Sequence, residues 1–178
     1  MKRTTWLSVL VLALAGFAFS LATPLANAAR SETAEPTVVF LVRHAEKEEG
    51  LDPALTEAGR ARAEELARTL RDAGIERVHS TDYARTRATA APLAERLGLE
   101  VELYDPRALP SFLEGVRDSG GRHLVVGHSN TTPQAVGLLG GEPGEPIVEA
   151  TEYDRLYAVT LGADGSVSTV LLRLADGD

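Results

Sequence analysis

Four short apolar runs alternate along this chain with four stretches of helical periodicity, and this alternation constrains the fold more than any other feature. The apolar runs have the length and the β-branched content of buried strands, and each helical stretch places apolar residues on one face. Strands that alternate with helices predict a parallel sheet covered on both faces. The predicted strands lie within residues 37–47, 75–80, 99–103 and 123–130, and the helices begin near residues 56, 83, 108 and 132.

The last part of the chain has a different pattern. Two alternating segments, 154–161 and 167–174, flank Ala163-Asp164-Gly165, which is a hairpin signal. This hairpin should add an antiparallel edge to the sheet. The predicted fold is therefore a three-layer α/β/α sandwich whose mostly parallel sheet has an antiparallel C-terminal edge.

Several helix ends are marked by residues suited to those positions. Thr56 is the predicted N-cap of the first helix and Gly74 its end, while Thr132 and Pro133 suit the N-cap and N1 positions of the fourth. Gly59 lies in the first turn of the first helix, where a glycine costs stability. Its presence there predicts a close approach by a neighbouring backbone.

Polar side chains suited to an anion site follow the carboxyl ends of the predicted strands. Arg43 and His44 end the first strand, His128 ends the fourth, and Arg85 lies at the start of the second helix. Guanidinium groups bind phosphate oxygens through planar forks, and an imidazole attacks phosphorus or donates a proton at neutral pH. Since the carboxyl ends of parallel strands meet at one edge of a sheet, these residues predict phosphoryl transfer through a phosphohistidine.

Each of these residues also has an ordinary structural interpretation. Histidines at strand ends are commonly hydrogen-bonded core residues, and arginines on helices commonly form a solvated face. His79 and His123 are not accompanied by other candidate site residues, so we interpret them as structural. A metal site is the rival use of the histidine pair, but the chain has no H-E-x-x-H pattern and two arginines would repel a cation. We therefore expect neither a metal nor another cofactor.

The first 28 residues have the organisation of a secretory signal peptide. Lys2 and Arg3 precede an apolar run over 6–21, and Ala26-Asn27-Ala28 forms a small-residue cleavage site. We interpret residues 1–28 as the signal peptide, 29–36 as a leader and 37–178 as one domain, exported to the periplasm or secreted. The alternative is an uncleaved anchor, for which the apolar run is short; after cleavage we expect no stable membrane insertion.

The charge balance limits the possible partners. The chain has 26 acidic and 18 basic residues, a net charge of -8, and loss of the two basic residues of the signal peptide makes it -10. This excess argues against a nucleic-acid partner, so a small phosphorylated ligand would need a local cationic pocket. The absence of cysteine excludes disulfides and thiolate catalysis. The sequence does not indicate an oligomeric state.

Four ordered motifs resemble those of the histidine phosphatase superfamily, the phosphoglycerate mutase-like family, and this resemblance spans roughly residues 38–161. The motifs are Arg43-His44-Ala45, in an R-H-A-E form of the family's Arg-His-Gly; Leu55-Thr56-Glu57-Ala58-Gly59; Ser80, Arg85, Thr89 and Ala90; and Gly127-His128. The resemblance implies the phosphoglycerate mutase-like fold.

Roles for the site residues follow from this resemblance. It implies that His44 is the phosphorylated nucleophile and that Arg43, Arg85 and His128 hold the phosphoryl oxygens, with Ser129 among the substrate contacts. One nitrogen of His44 must be unprotonated for attack, which a backbone carbonyl bonded to the other nitrogen would secure. His128 would work best protonated, beside the phosphate dianion.

The proton donor is not identified by the motifs. Ser129 occupies the position at which some family members carry an acid. Asp105 and Glu114 lie in the segment where other branches place it and are the candidates here. Glu46 and Lys47, which follow the nucleophile, are interpreted as loop residues.

The predicted function is an exported, metal-independent phosphatase that hydrolyses phosphomonoesters or similar small phosphorylated compounds. Without a dedicated proton donor, such an enzyme would favour good leaving groups such as phosphohistidine, acyl phosphates or aryl phosphates. A phosphohistidine protein phosphatase is one alternative. A non-catalytic phosphate- or polyanion-binding module is another, which Ala45 and the unassigned acid leave open. A mutase is disfavoured because little chain between residues 99 and 121 is available to close over a substrate.

Overall fold

The structure is a computed structural model in which residues 35–175 are described. The predicted signal peptide and most of the predicted leader lie outside these residues. Between residues 35 and 175 no helix is long and apolar enough to cross a membrane. The elements are β1 (Thr37–Arg43), α1 (Glu57–Leu70), β2 (Arg77–Thr81), α2 (Ala84–Leu97), β3 (Val101–Tyr104), a 3-10 turn (Pro106–Ala108), α3 (Leu109–Ser119), β4 (Arg122–Gly127), α4 (Thr131–Leu138), β5 (Arg155–Leu161) and β6 (Val167–Arg173).

The strands form a six-stranded sheet in the order β3-β2-β4-β1-β5-β6. The strands β1 to β4 are mutually parallel, β5 is antiparallel to β1, and β6 is antiparallel to β5. The predicted mostly parallel sheet with an antiparallel C-terminal edge is confirmed. In this register Arg43 lies beside Gly127, so β1 and β4 deliver His44 and His128 side by side at the same edge of the sheet.

Helices cover both faces of the sheet, which confirms the three-layer prediction. On one face, Leu41 and Tyr157 pack in a core that includes residues of α3 and α4. On the other, Val42 and Leu124 pack in a core that includes residues of α1 and α2. Adjacent residues of β1 thus enter opposite cores, as the two-residue period of a strand requires. Because both faces of β1 are buried, its carboxyl end is held in a fixed position.

The start of α1 confirms two sequence predictions. Thr56 is the N-cap, and its hydroxyl accepts a hydrogen bond from the Gly59 amide at 3.0 Å. A Cβ added to Gly59 would lie 2.1 Å from the Glu46 carbonyl oxygen. Only a glycine permits this approach, which brings α1 directly against the segment that follows His44.

Two helix boundaries differ from the predictions. The helix α4 begins at Thr131 with Asn130 as its N-cap, so the prediction that Thr132 is the cap is wrong. Instead, the Thr132 hydroxyl donates to the Val42 carbonyl at 3.1 Å. The helix α1 ends at Leu70, with Arg71 as its C-cap, before the predicted end at Gly74.

Candidate active site

A cavity of about 550 Å³ opens at the carboxyl end of the parallel strands, and His44, Arg85, His128 and Ser129 all contribute to its wall. These four residues come from three separate parts of the chain: the end of β1, the start of α2 and the end of β4. The structure therefore brings together four of the five residues predicted to catalyse or bind. Arg43, the fifth, lies behind the wall.

His44 has one ring nitrogen fixed by the backbone. Its Nδ1 donates to the Ala45 carbonyl oxygen at 2.8 Å, which is the type of partner the sequence predicted. Nδ1 therefore carries the proton in the neutral ring, and Nε2 keeps its lone pair. Burial lowers the pKa of His44 to about 3; the hydrogen bond to Ala45 opposes this effect and the positive charge of Arg43 adds to it. The ring is thus neutral at pH 7, as a nucleophile must be.

Arg43 is almost completely buried, and its guanidinium group is held without a close carboxylate. Its Nη1 donates to the Glu152 carbonyl oxygen at 3.0 Å, and its Cζ lies 3.9 Å from the centre of the Tyr153 ring. Its Nε is buried with no hydrogen-bond partner among residues 35–175. Burial lowers the pKa of Arg43, and Tyr153 and Glu149 act in the opposite direction. Its charge acts electrostatically on both His44 and His128.

Arg85 and His128 contact each other across the cavity. Arg85 Nη2 lies 3.4 Å from His128 Nδ1, and His128 Nε2 lies 3.0 Å from the Thr81 hydroxyl oxygen. Since a guanidinium group only donates, Nδ1 accepts and Nε2 carries the proton. Burial, followed by the charges of Arg85 and Arg43, lowers the pKa of His128 to about 4. The rings of His44 and His128 have centroids 5.6 Å apart, a spacing that lets both reach one phosphoryl group.

Ala45, which departs from the family's Arg-His-Gly motif, does not obstruct the cavity. Its methyl group is buried in a small cluster with Leu55 and Ala63. Its amide donates to the Thr89 hydroxyl at 3.0 Å, and that hydroxyl donates to the Arg85 carbonyl at 2.7 Å. The residue therefore ties the His44 segment to α2 and occupies no space that a substrate needs.

The two predicted proton donors lie outside the wall of this cavity. Glu114, on α3, lines a different groove with Arg117 and Leu138. Asp105 accepts from the Arg107 amide and pairs with the Arg107 guanidinium at 2.9 Å. The structure does not bring either carboxylate to His44.

The residues that follow the nucleophile have separate positions. Glu46 forms a bidentate ion pair with Arg62 at 2.7 Å and so acts as a loop residue, as predicted. Lys47 lines the cavity, so its interpretation as a mere loop residue is incomplete.

Sequence reasoning missed several other residues of the cavity wall. Tyr83, Arg107, Asn130 and Glu149 line it beside the predicted residues. Asn130 and Tyr83 could have been found, because Asn130 ends the fourth predicted strand segment and Tyr83 begins the second predicted helix, at the same sheet edge. Glu149 comes from the glycine- and proline-rich loop before β5, where no periodicity or motif marked it.

No group of three or more His, Asp or Glu residues in the part of the chain from 35 to 175 has an arrangement that could hold a metal ion. The cavity instead combines guanidinium groups with two neutral imidazoles. Such a set attracts an anion and supplies both a nucleophile and hydrogen-bond donors for it. A phosphoryl group has the charge and the oxygen geometry that this set fits.

Comparisons with known proteins agree with this geometry. A model of the histidine phosphatase superfamily (branch 1) matches residues 39–108. The chain is 40% identical over 77 residues to a probable phosphoglycerate mutase GpmB of Erwinia tasmaniensis, a match that covers 39% of this chain and only 35% of that protein.

Solved structures share the fold at lower identity. The protein histidine phosphatase SixA complexed with tungstate has a TM-score of 0.61 and 23% identity, with 76% of this chain and 96% of that chain covered. The mycobacterial glucosyl-3-phosphoglycerate phosphatase in complex with inorganic phosphate has a TM-score of 0.60 and 16% identity, with 79% and 98% covered. The fold is therefore the phosphoglycerate mutase-like fold that the resemblance implied. The match to the superfamily model over residues 39–108 and the shared fold support the family assignment that the motifs predicted.

Proposed function

We propose that this protein is an exported phosphatase that hydrolyses small phosphomonoesters through a phosphohistidine on His44. One observation carries the proposal: the neutral His44 ring has Nδ1 bound to the Ala45 carbonyl and an unprotonated Nε2, in a cavity that also contains Arg85 and His128. This is the protonation state and the environment that nucleophilic attack on a phosphoryl group requires.

The proposed reaction has two steps. Nε2 of His44 attacks phosphorus, the bond between phosphorus and the leaving oxygen breaks, and the phosphoryl group passes to the ring. Water then attacks phosphorus, the phosphorus–nitrogen bond breaks, and inorganic phosphate leaves. In both steps Arg85, His128 and the charge of Arg43 stabilise the negative oxygens, a contribution worth about two to three orders of magnitude in rate for each donor removed.

His128 should change its protonation state when substrate binds. Burial and the two arginines lower its pKa to about 4, which makes the ring neutral at pH 7. A dianionic phosphoryl group beside Nδ1 favours the protonated ring. We therefore expect His128 to take up a proton on binding and to donate from Nδ1 to a phosphoryl oxygen.

The decisive experiment is phosphate release from p-nitrophenyl phosphate by residues 29–178 in the presence of a chelator. We expect activity that is insensitive to the chelator, and a loss of at least about 10³-fold in His44→Ala with an unchanged unfolding midpoint. Acid-quenched enzyme should carry an alkali-stable phosphoryl label on His44. Equal activity of the wild type and His44→Ala would contradict the assignment of His44 as the nucleophile.

The same experiment separates the alternatives. A non-catalytic phosphate-binding module would bind inorganic phosphate without releasing product from any phosphate ester. A phosphohistidine protein phosphatase would act on a phosphohistidine peptide far better than on small esters. Recovery of protein that begins at Met1 from the source cells would contradict cleavage of the signal peptide.

A further inference from the structure

We propose that Glu149 is the proton donor to the leaving group and, in the second step, the base that activates water. This inference rests on the proposed phosphatase function and adds to it the catalytic acid that the motifs left unassigned.

Glu149 is the one carboxylate among the described residues that line the His44 cavity. It accepts no hydrogen bond and forms no ion pair within residues 35–175. Its charge is nevertheless close enough to the end of β1 to act on the Arg43 guanidinium. Glu149 is therefore a carboxylate in the cavity wall that is available to exchange a proton with a substrate.

The other carboxylates around the site are already engaged. Asp52 accepts from the Ala84 amide at 2.9 Å, which caps α2, and its oxygen lies 3.7 Å from Arg85 Nη1. The carboxylates of Glu46 and Asp105 are each held by an arginine. Transfer of a proton from any of them would break an interaction that holds the loop or helix in place, whereas Glu149 has no hydrogen bond or ion pair within residues 35–175 to lose.

The turn that carries Glu149 is fixed against the site. The Glu152 amide donates to the Val148 carbonyl at 2.9 Å, and the Glu152 carboxylate accepts from the Val148 amide at 3.0 Å. That carboxylate also pairs with Arg155 and Arg173, each at 2.7 Å. Glu149 lies inside this closed turn, so its backbone is held at both ends.

The same turn contacts the catalytic end of β1. The Glu152 carbonyl accepts from Arg43, and the ring of Tyr153 packs on the Arg43 guanidinium at 3.9 Å. The Tyr153 ring centroid lies 6.1 Å from that of His44. A substrate bound between His44 and Arg85 would therefore have Glu149 beside it on a rigid support.

The chemistry balances with Glu149 in this role. As His44 Nε2 bonds to phosphorus, the leaving oxygen takes the proton of the Glu149 carboxyl group and departs as an alcohol. In the second step the carboxylate removes a proton from the attacking water, which restores the acid when phosphate is released.

Leaving-group dependence provides the test. The value of kcat/KM for Glu149→Gln should fall by about 10²-fold or more with glycerol 2-phosphate, whose alkoxide needs a proton. With p-nitrophenyl phosphate, whose phenolate leaves unaided, it should stay within about threefold of the wild-type value. A merely structural role would lower both values together. Glu145→Gln is the matched control, because Glu145 lies in the same loop, is exposed and does not line the cavity.

Each outcome has a distinct meaning. An unchanged or parallel effect on the two esters overturns the role of Glu149 and leaves the phosphatase standing. Wild-type protein that hydrolyses only the aryl ester also overturns it, since an enzyme with a proton donor should turn over the alkyl ester. Wild-type protein with no activity on either ester, equal to His44→Ala, contradicts the proposed function itself.

Discussion

Replacement of Gly59 by alanine should destabilise this protein, although alanine is normally the better helix residue. The added Cβ would lie 2.1 Å from the Glu46 carbonyl oxygen and 3.0 Å from its carbon, both of which are backbone atoms that no rotamer change can move. The carbonyl also accepts from the Thr56 amide at 3.0 Å. Relief of the clash therefore shifts the segment after His44 and breaks that bond.

Three contributions determine the expected change in the free energy of unfolding of Gly59→Ala. Overpacking of a tight contact costs about 1–3 kcal/mol, and loss of the hydrogen bond adds about 1 kcal/mol. The better helix propensity of alanine returns at most about 1 kcal/mol. Gly59→Ala should thus lower the free energy of unfolding by about 1–4 kcal/mol. The shift of the Glu46 backbone should also lower kcat/KM, since His44 lies two residues away.

Gly115 provides the matched control. It is exposed within α3, and an added Cβ there would meet nothing within 4 Å. Gly115→Ala should therefore raise the free energy of unfolding by about 0.5–1 kcal/mol. Urea unfolding at equilibrium measures both variants. Effects of the same sign, or a loss in Gly59→Ala below about 1 kcal/mol, would show that the close contact does not decide the outcome.

Three further predictions concern pH, the loop anchor and the second histidine. Burial, together with His123 and Arg77, lowers the pKa of His79 from 6.5 to about 4, so the unfolded chain binds a proton there that the folded chain does not. The free energy of unfolding should fall as pH decreases from about 6.5 to 4, by at most about 3 kcal/mol for this group, and urea titrations of His79→Phe should show a shallower slope. Glu152→Ala should lower the free energy of unfolding by about 2–4 kcal/mol, because it leaves the buried Arg155 without its carboxylate. Calorimetry would show this loss as a lower Tm. An unchanged Tm would contradict the prediction. Thr81→Val should lower kcat/KM for p-nitrophenyl phosphate about tenfold or more, because His128 Nε2 loses the oxygen that fixes its tautomer. A value of kcat/KM equal to that of the wild type would show that Thr81 has no role in the site.

Local sequence patterns predicted the order and the type of the elements, and tertiary contacts moved some of their ends. The Thr56 cap was predictable because its partner, Gly59, lies three residues away. The start of α4 was not, because the Thr132 hydroxyl bonds to the Val42 carbonyl of β1, ninety positions earlier in the chain. A hydroxyl that satisfies a distant strand is indistinguishable in sequence from one that caps its own helix.

The residues of the cavity also divide into those that local sequence patterns predict and those that only tertiary contacts position. His44, Arg85 and His128 follow strand ends or begin a helix, so the rule that parallel strands end at one edge brings them together. Glu149 and Tyr153 approach from a loop whose position depends on the ion pairs of Glu152, one of which joins it to Arg173, 21 positions further along the chain. Their presence at the site could only be seen once that loop was folded.

The way in which the arginines are held explains how a strongly acidic protein keeps a cationic pocket. Arg62 and Arg155 have carboxylate oxygens at 2.7 Å, which cancel their charge locally. Arg43 is held by a carbonyl group and an aromatic face, and Arg85 by an imidazole and a carboxylate at 3.7 Å. The neutral partners of Arg43 fix its guanidinium group without neutralising it, so its field acts on the cavity, where low exposure to water strengthens it. The net charge therefore repels anions only at long range, and the site attracts them where the reaction takes place.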